Sequence, residues 1–343
     1  MLLNTGGYPA IRPRRLRAAA WRRDMVAETV LTPSNLIQPL FVIEGTAQRE
    51  AVDSLPGVER LSIDFIIDAA RAAQAAGIPA IALFPAVDGS LKDANGSEAL
   101  NPDNLICRAV RALKSAVPDI GVICDVALDP YTDHGHDGVL VGGKIHNDNT
   151  VDILRRQALV LAEAGCDVVA PSDMMDGRVG EIRATLEASG FADTMILSYA
   201  VKYASAFYGP FRDAVGSRKN LGAHGPRDKK TYQMDFRNRR EAAREAALDI
   251  AEGADAVMVK PAGTSLDVIS DLHRSVDVPV IAYQVSGEYA MIKAAAERGM
   301  IDGHAALLES LTVIKRAGAA AIFTYAATDI ARALQAYSRG ARV

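Results

Sequence analysis

Residues 252–261 read EGADAVMVKP, and the pattern inside this stretch decides the fold. Gly253 closes a helix, a place where the left-handed conformation favours glycine. Two residues on, Ala256-Val257-Met258-Val259 forms a short apolar run of the kind that fills a parallel strand buried on both faces. The run ends on Lys260, although lysine is almost never fully buried without a partner. The same pattern recurs as QAAGIPAIALFP (74–85), EAGCDVVAPS (163–172) and RAGAAAIFTY (316–325). Each is an alanine-rich helix end, a glycine, a short turn and a strand.

Four more strands of the same character lie between these: LIQPLFVI (36–43), GVICDVAL (121–128), MILSYAV (195–201) and PVIAYQV (279–285). Amphipathic helices separate them. In 264–272, Leu266, Ile269 and Leu272 share one face, and Thr264 with Asp267 reads as a capping pair. Eight strands alternating with helices, with no composition break between them, predict an α/β fold, a (β/α)8 TIM barrel. A doubly wound sheet is the alternative, weakened because no GxGxxG turn follows any strand.

Composition fits one large barrel. The chain has 343 residues, 49% hydrophobic and 23% charged, with a net charge of −4. That balance does not suggest a nucleic-acid binder. Cys107, Cys124 and Cys166 show no CxxC spacing, which argues against a disulfide framework or a zinc knuckle. No apolar stretch approaches the ~18 residues of a membrane span. A cytoplasmic protein is the expectation. Two pieces fall outside the barrel pattern (36–343). Residues 1–35 carry six arginines between Arg12 and Arg23. The stretch 203–240, rich in Gly, Arg, Lys and aromatics, is too long for a plain βα loop and reads as a lid.

Active sites of such barrels sit at the C-terminal strand ends. Those ends supply Asp125, Ser172-Asp173, Lys202, Lys260, Tyr283 with Ser286, and Tyr325. A single lysine there is as readily a rim residue snorkelling to water. Two on consecutive strands are different: each ammonium disfavours the other, and desolvation adds to this. The product is a neutral amine able to attack a ketone. The residues alone therefore point to a Schiff-base enzyme acting on carbonyl compounds.

The stretches APSDMMDGRVGEIR (170–183), YAVKYASAFYGPFRDA (199–214), KKTYQMD (229–235), VMVKPAG (257–263) and YQVSGEYAM (283–291) strongly resemble the porphobilinogen synthase, or δ-aminolevulinic acid dehydratase, family. The resemblance runs in order from about Arg12 to Tyr325. It implies a (β/α)8 barrel whose N-terminal arm embraces a neighbouring subunit, in homo-octamers or homo-hexamers. It implies condensation of two 5-aminolevulinate molecules to porphobilinogen with loss of two waters, in tetrapyrrole synthesis. By motif match, Lys260 forms the Schiff base with the propionate-side substrate and Lys202 with the acetate-side one. Ser286 and Tyr325 match contacts to the propionate-side carboxylate; Arg212 and Gln233 match those to the other. Lys229 stands where many members have arginine, so a bidentate contact becomes a point charge.

The match also makes Asp125, Ser172 and Asp173 candidates to bind a substrate amine or relay protons. A helix cap is the plainer reading of the last two. Tyr208 and Phe211 fall over the substrate, whereas Tyr203 and Phe207 read as packing. In zinc-dependent members three cysteines of the loop CDVALDPYTDHGHDG (124–138) hold the metal; here those positions are Ala127, Asp129 and Asp137. Two carboxylates and an alanine suit hard ions or none, so no zinc and no required cofactor are expected. Asp129 and Asp137 then hold the acetate-side ammonium directly, or through a water, magnesium or potassium. His134 and His136 read as loop hydrogen-bonders rather than ligands. Magnesium-stimulated members carry an acidic ligand near the start of the helix at 239–252, where Arg237, Arg239 and Arg240 cluster here. Glu241 is the magnesium candidate that remains, with Glu245 beside it.

Two other readings stay open. A class I aldolase acting on a sugar phosphate predicts backbone N–H groups free to hold an anion after strands seven and eight. A catalytically dead scaffold predicts loss of a lysine, which the sequence does not show.

Overall fold

A computed structural model describes residues 7–217, 221 and 225–338. Residues 1–6 of the arm, 218–220 and 222–224 of the lid stretch, and 339–343 lie outside that description. The eight expected strands are present as β1 (Leu36–Val42), β2 (Ala80–Pro85), β3 (Gly121–Val126), β4 (Val168–Pro171), β5 (Met195–Lys202), β6 (Ala256–Lys260), β7 (Val280–Tyr283) and β8 (Ala321–Phe323). Each pairs in parallel with the next. β8 returns to β1, Leu36 opposite Ile322 and Ile37 opposite Phe323, so the sheet is a closed barrel. Closure with helices outside buries both faces, which is why the strands read as unbroken apolar runs.

The helices are α1 (Ala20–Met25) in the arm, then α2 (Ile63–Ala75), α3 (Leu105–Ala116), α4 (Asn147–Glu163), α5 (Arg178–Ala188), α6 (Gly209–Val215), α7 (Arg239–Ala251), α8 (Leu266–Ser275), α9 (Ser286–Glu297), α10 (Gly303–Ala317) and α11 (Ala327–Ser338). α3 shows why they cover the barrel: Leu105, Ile106, Ala109, Val110 and Leu113 are all buried on one stripe. Among the described residues no helix is long and apolar enough to cross a membrane.

One sequence expectation fails locally, and one alternative reading falls away. α8 starts at Leu266 behind Ser265 with no side-chain cap, so the Thr264–Asp267 capping pair does not form. α5 is preceded by Gly177 in the left-handed region, so neither Ser172 nor Asp173 caps it.

Among the described residues the arm carries two 3-10 turns (Pro13–Leu16 and Pro33–Asn35) and α1, and it leaves Trp21, Met25 and Val30 62–66% exposed. The lid stretch holds α6 and returns to the barrel at Met234, whose N–H donates to the Lys202 carbonyl (3.0 Å). It packs on the start of α9, where a Cβ at Gly287 would meet the Phe207 backbone at 2.6–2.9 Å, closer than any side chain tolerates.

Candidate active site

Lys260 and Lys202 end adjacent strands and are direct register partners. A β-bulge makes them so. Ser198 pairs with Val257 and Val201 with Val259, so β5 spends one more residue than β6 over that interval. Neighbours in a parallel register share a face, and a one-residue slip reverses it. Were the same sequence paired regularly, without the bulge, Val201 would stand beside Lys260.

The two ammonium groups have unlike surroundings. Lys260 Nζ lies over the rings of Tyr283 (4.4 Å to the centroid), Phe211 (4.9 Å), Tyr208 (5.1 Å) and Tyr199 (5.3 Å). Ring faces attract a cation but replace water poorly. Among the described residues no carboxylate lies within ion-pair distance of it. Burial, then the charge of Lys202, lowers the Lys260 amine to about 7. Lys202 is held instead by Asp137 (3.1 Å) and by the Ser172 carbonyl.

Asp125, half-buried beside both lysines, is pushed up to about 7 by desolvation of its carboxyl, with the Lys202 charge opposing. One of its oxygens has no hydrogen-bond partner. A carboxyl so poised exchanges protons near neutrality.

Lys229 Nζ bridges Asp129 (3.1 Å) and Asp137 (2.8 Å). Burial pushes this ammonium down, but the two carboxylates outweigh it and the net shift is upward. Burial likewise raises Asp137, and Lys202 with Lys229 more than reverse this, leaving it well below the usual range. The group that zinc-dependent members place in this loop finds no fitting donor set here. Ala127 offers no ligand, and the ammonium groups of Lys229 and Lys202 already pair with the two carboxylates. His136 makes loop hydrogen bonds, to Tyr232 Oη (3.0 Å) and the Pro226 carbonyl (2.9 Å). Tyr232 also donates to Asp137 (2.8 Å).

One pocket brings together Asp125, Asp129, Ser172, Lys202, Lys260, Tyr208, Phe211, Arg212, Lys229 and Gln233, with Phe84 added. Its open volume is about 20 Å³, room for roughly one water. Tyr325 Oη meets Tyr283 Oη at 3.0 Å. The Ser286 hydroxyl is tied to the lid, accepting from Phe211 N (3.0 Å) and donating to the Phe207 carbonyl (3.3 Å). Asp173 does not line the pocket; it accepts from Met175 N (2.7 Å) and faces Arg178. A larger cavity of about 650 Å³ lies elsewhere, lined by Asp176, Tyr232, Asp235, Glu241 and Glu245, and shares only Gln233 with the pocket. Glu241 accepts there from Asn238 (2.9 Å). Arg237 pairs with Asp235 and Arg239 with Asp271, both within this chain.

Tyr199, Phe84, Tyr232 and Glu288 are site elements the sequence reading missed. Glu288 bears on the sugar-phosphate alternative. Its carboxylate accepts from Gly263 N and Val285 N, both at 2.8 Å, so these donors after β6 and β7 already serve the protein's own anion. Burial pushes Glu288 up to about 7.

A closed (β/α)8 barrel presenting paired lysines from adjacent strands defines a Schiff-base class of enzyme. Within that class the comparisons are specific. The delta-aminolevulinic acid dehydratase family model matches residues 10–333. The enzyme of that name from Bradyrhizobium diazoefficiens is 58% identical over 326 residues, covering 95% of this chain and 91% of its own. That from Streptomyces coelicolor is 50% identical, covering 96% and 99%. The crystal structure of the Toxoplasma gondii ME49 enzyme, in complex with the reaction product porphobilinogen, superposes with a TM-score of 0.92 at 48% identity, covering 97% of this chain and 95% of that one. The chain belongs to the delta-aminolevulinic acid dehydratase family.

Proposed function

We propose that this protein is a 5-aminolevulinate dehydratase, a lyase that condenses two 5-aminolevulinate molecules to porphobilinogen for tetrapyrrole synthesis. The observation that carries the reading is the register pairing of Lys202 with Lys260, the latter buried in an aromatic box and lowered to about 7, so that a large share of its amine is neutral near that pH.

The chemistry follows from that pair. The Lys260 amine attacks the ketone of the propionate-side substrate; water leaves and an imine forms. Lys202 does the same with the second substrate. A protonated imine is an electron sink that acidifies the adjacent carbon for C–C bond formation. Each lysine is expelled again when the ring carbon it holds is attacked or rearomatised. Asp125 exchanges protons in these steps, with Ser172 beside it. Two zwitterions enter, and a product with one ammonium and two carboxylates leaves, so one proton is released per turnover. Ser286 and Tyr325 bind the propionate-side carboxylate. Arg212, Lys229 and Gln233 bind the other, with Lys229 leaving Asp129 to do so. Asp129 and Asp137 then hold the second substrate's ammonium. Because the pocket is too small for two substrates, the lid moves to admit them.

The enzyme works without zinc, and as a homo-octamer or homo-hexamer whose arm covers a neighbouring subunit. Incubation with 5-aminolevulinate and assay of porphobilinogen tests the activity; no product from the wild-type protein contradicts it.

A further inference from the structure

Arg178 is the largest fully buried side chain that the reaction does not use. It opens α5 and forks onto both carboxylate oxygens of Asp249 in α7 (3.0 and 3.1 Å). Its remaining contacts reach two backbone irregularities. One is the turn after β4, where Arg178 donates to the Met175 carbonyl (3.2 Å) and lies 3.6 Å from Asp173. Met174 in that turn has φ +67°, a strained conformation for a non-glycine residue that needs support from its surroundings. The turn begins at Ser172, whose carbonyl holds the Lys202 ammonium. The other is the bulge of β5: Arg178 donates to Ser198 Oγ (3.1 Å) and to the Tyr199 carbonyl (3.5 Å). The Ser198 hydroxyl in turn donates a hydrogen bond to Asp249 (2.5 Å).

A buried ion pair is weak evidence for stability, because well-packed apolar residues of like volume often serve as well or better. What apolar residues could not do is bond the two carbonyls. We infer that Arg178, locked by Asp249, is a positioning residue for Lys202, fixing both the turn that offers the Ser172 carbonyl and the bulge that sets Lys202 opposite Lys260. This rests on the reading of Lys202 as a reacting amine.

The test is the paired variant Arg178→Met/Asp249→Leu, which removes both charges while keeping apolar volume. The expected result is a folded protein whose unfolding midpoint falls, because buried Asp173 loses its facing cation, with borohydride trapping of 5-aminolevulinate on Lys260 within about twofold of wild type. Turnover falls about 100-fold in kcat, the scale of an ångström-level misplacement of a reacting group. A folded paired variant with wild-type kcat overturns the inference, and so does one whose trapping on Lys260 falls as far as its turnover. Should the pair not fold, Ser198→Ala removes the hydroxyl under the bulge. It is expected to lower kcat about tenfold at unchanged KM, and unchanged kcat refutes the role. Wild-type protein that makes no porphobilinogen refutes the functional reading itself, whatever the variants do.

Discussion

Lys202 and Lys260 stand side by side because β5 contains one residue more than β6 between their last regular pairs. Regular pairing would turn Lys202 to the other face of the barrel wall. The bulge gives one site two amines of different character: Lys260 is desolvated among rings, and Lys202 is salt-bridged to Asp137.

The pH dependence of imine formation follows from that difference. Lys260 is lowered to about 7, so its amine is neutral above that pH and charged below it. The rate of borohydride trapping on Lys260 should be half-maximal at about pH 7 and fall about tenfold per unit below. Lys202→Met removes the neighbouring cation, so Lys260 rises and the midpoint moves to higher pH. A midpoint that stays put or moves down contradicts the coupling.

Lys229 is the counter-ion of Asp129 and shares Asp137 with Lys202. Lys229→Met therefore strands a buried carboxylate, at a cost of about 3 kcal/mol in urea unfolding. Substrate affinity should fall as well, because an acetate-side cation is gone. An unchanged unfolding midpoint would show that the bridge carries no weight.

Zinc should be absent from the purified enzyme at the stoichiometry of the active site, and strong zinc chelators should leave the rate intact. The reason is the lysine ammonium already set between Asp129 and Asp137. About one zinc per site, with activity lost on chelation and restored by zinc, would show this wrong.

The arm exposes Trp21, Met25 and Val30 on a single chain, a surface that calls for a covering partner. Removal of residues 1–25 should reduce the native assembly to smaller species that keep their helical circular dichroism. Full-size particles from the truncated protein would refute the arm's role.

The barrel was legible because four strands repeat one motif, glycine then a short apolar run, the other four are apolar runs of the same character, and closure buries both faces of each. Lys202 and Lys260 were legible as charged residues ending such runs. The bulge was not, because an extra residue in a strand buried on both faces leaves no mark in the pattern. The Thr264–Asp267 cap was misread because an Ser/Thr-x-x-Asp spacing gives the residue types without the backbone path that lets them bond. Arg178 and Glu288 were invisible for a related reason. Their distant partners, Asp249 and Gly263, lie 71 and 25 residues away, and an arginine or glutamate in the first turn of a helix looks like ordinary solvated surface.

The central claim, that both lysines carry substrate, is tested most directly by borohydride reduction in the presence of 5-aminolevulinate, followed by peptide mapping. The account predicts that Lys260→Met abolishes turnover, and that Lys202→Met is severely impaired yet still acquires one reduced substrate adduct, on Lys260. Wild-type protein should carry the adduct on Lys260 and, when trapped during turnover, on Lys202. Adducts on neither lysine, or a Lys260→Met variant with near wild-type rate, would contradict it.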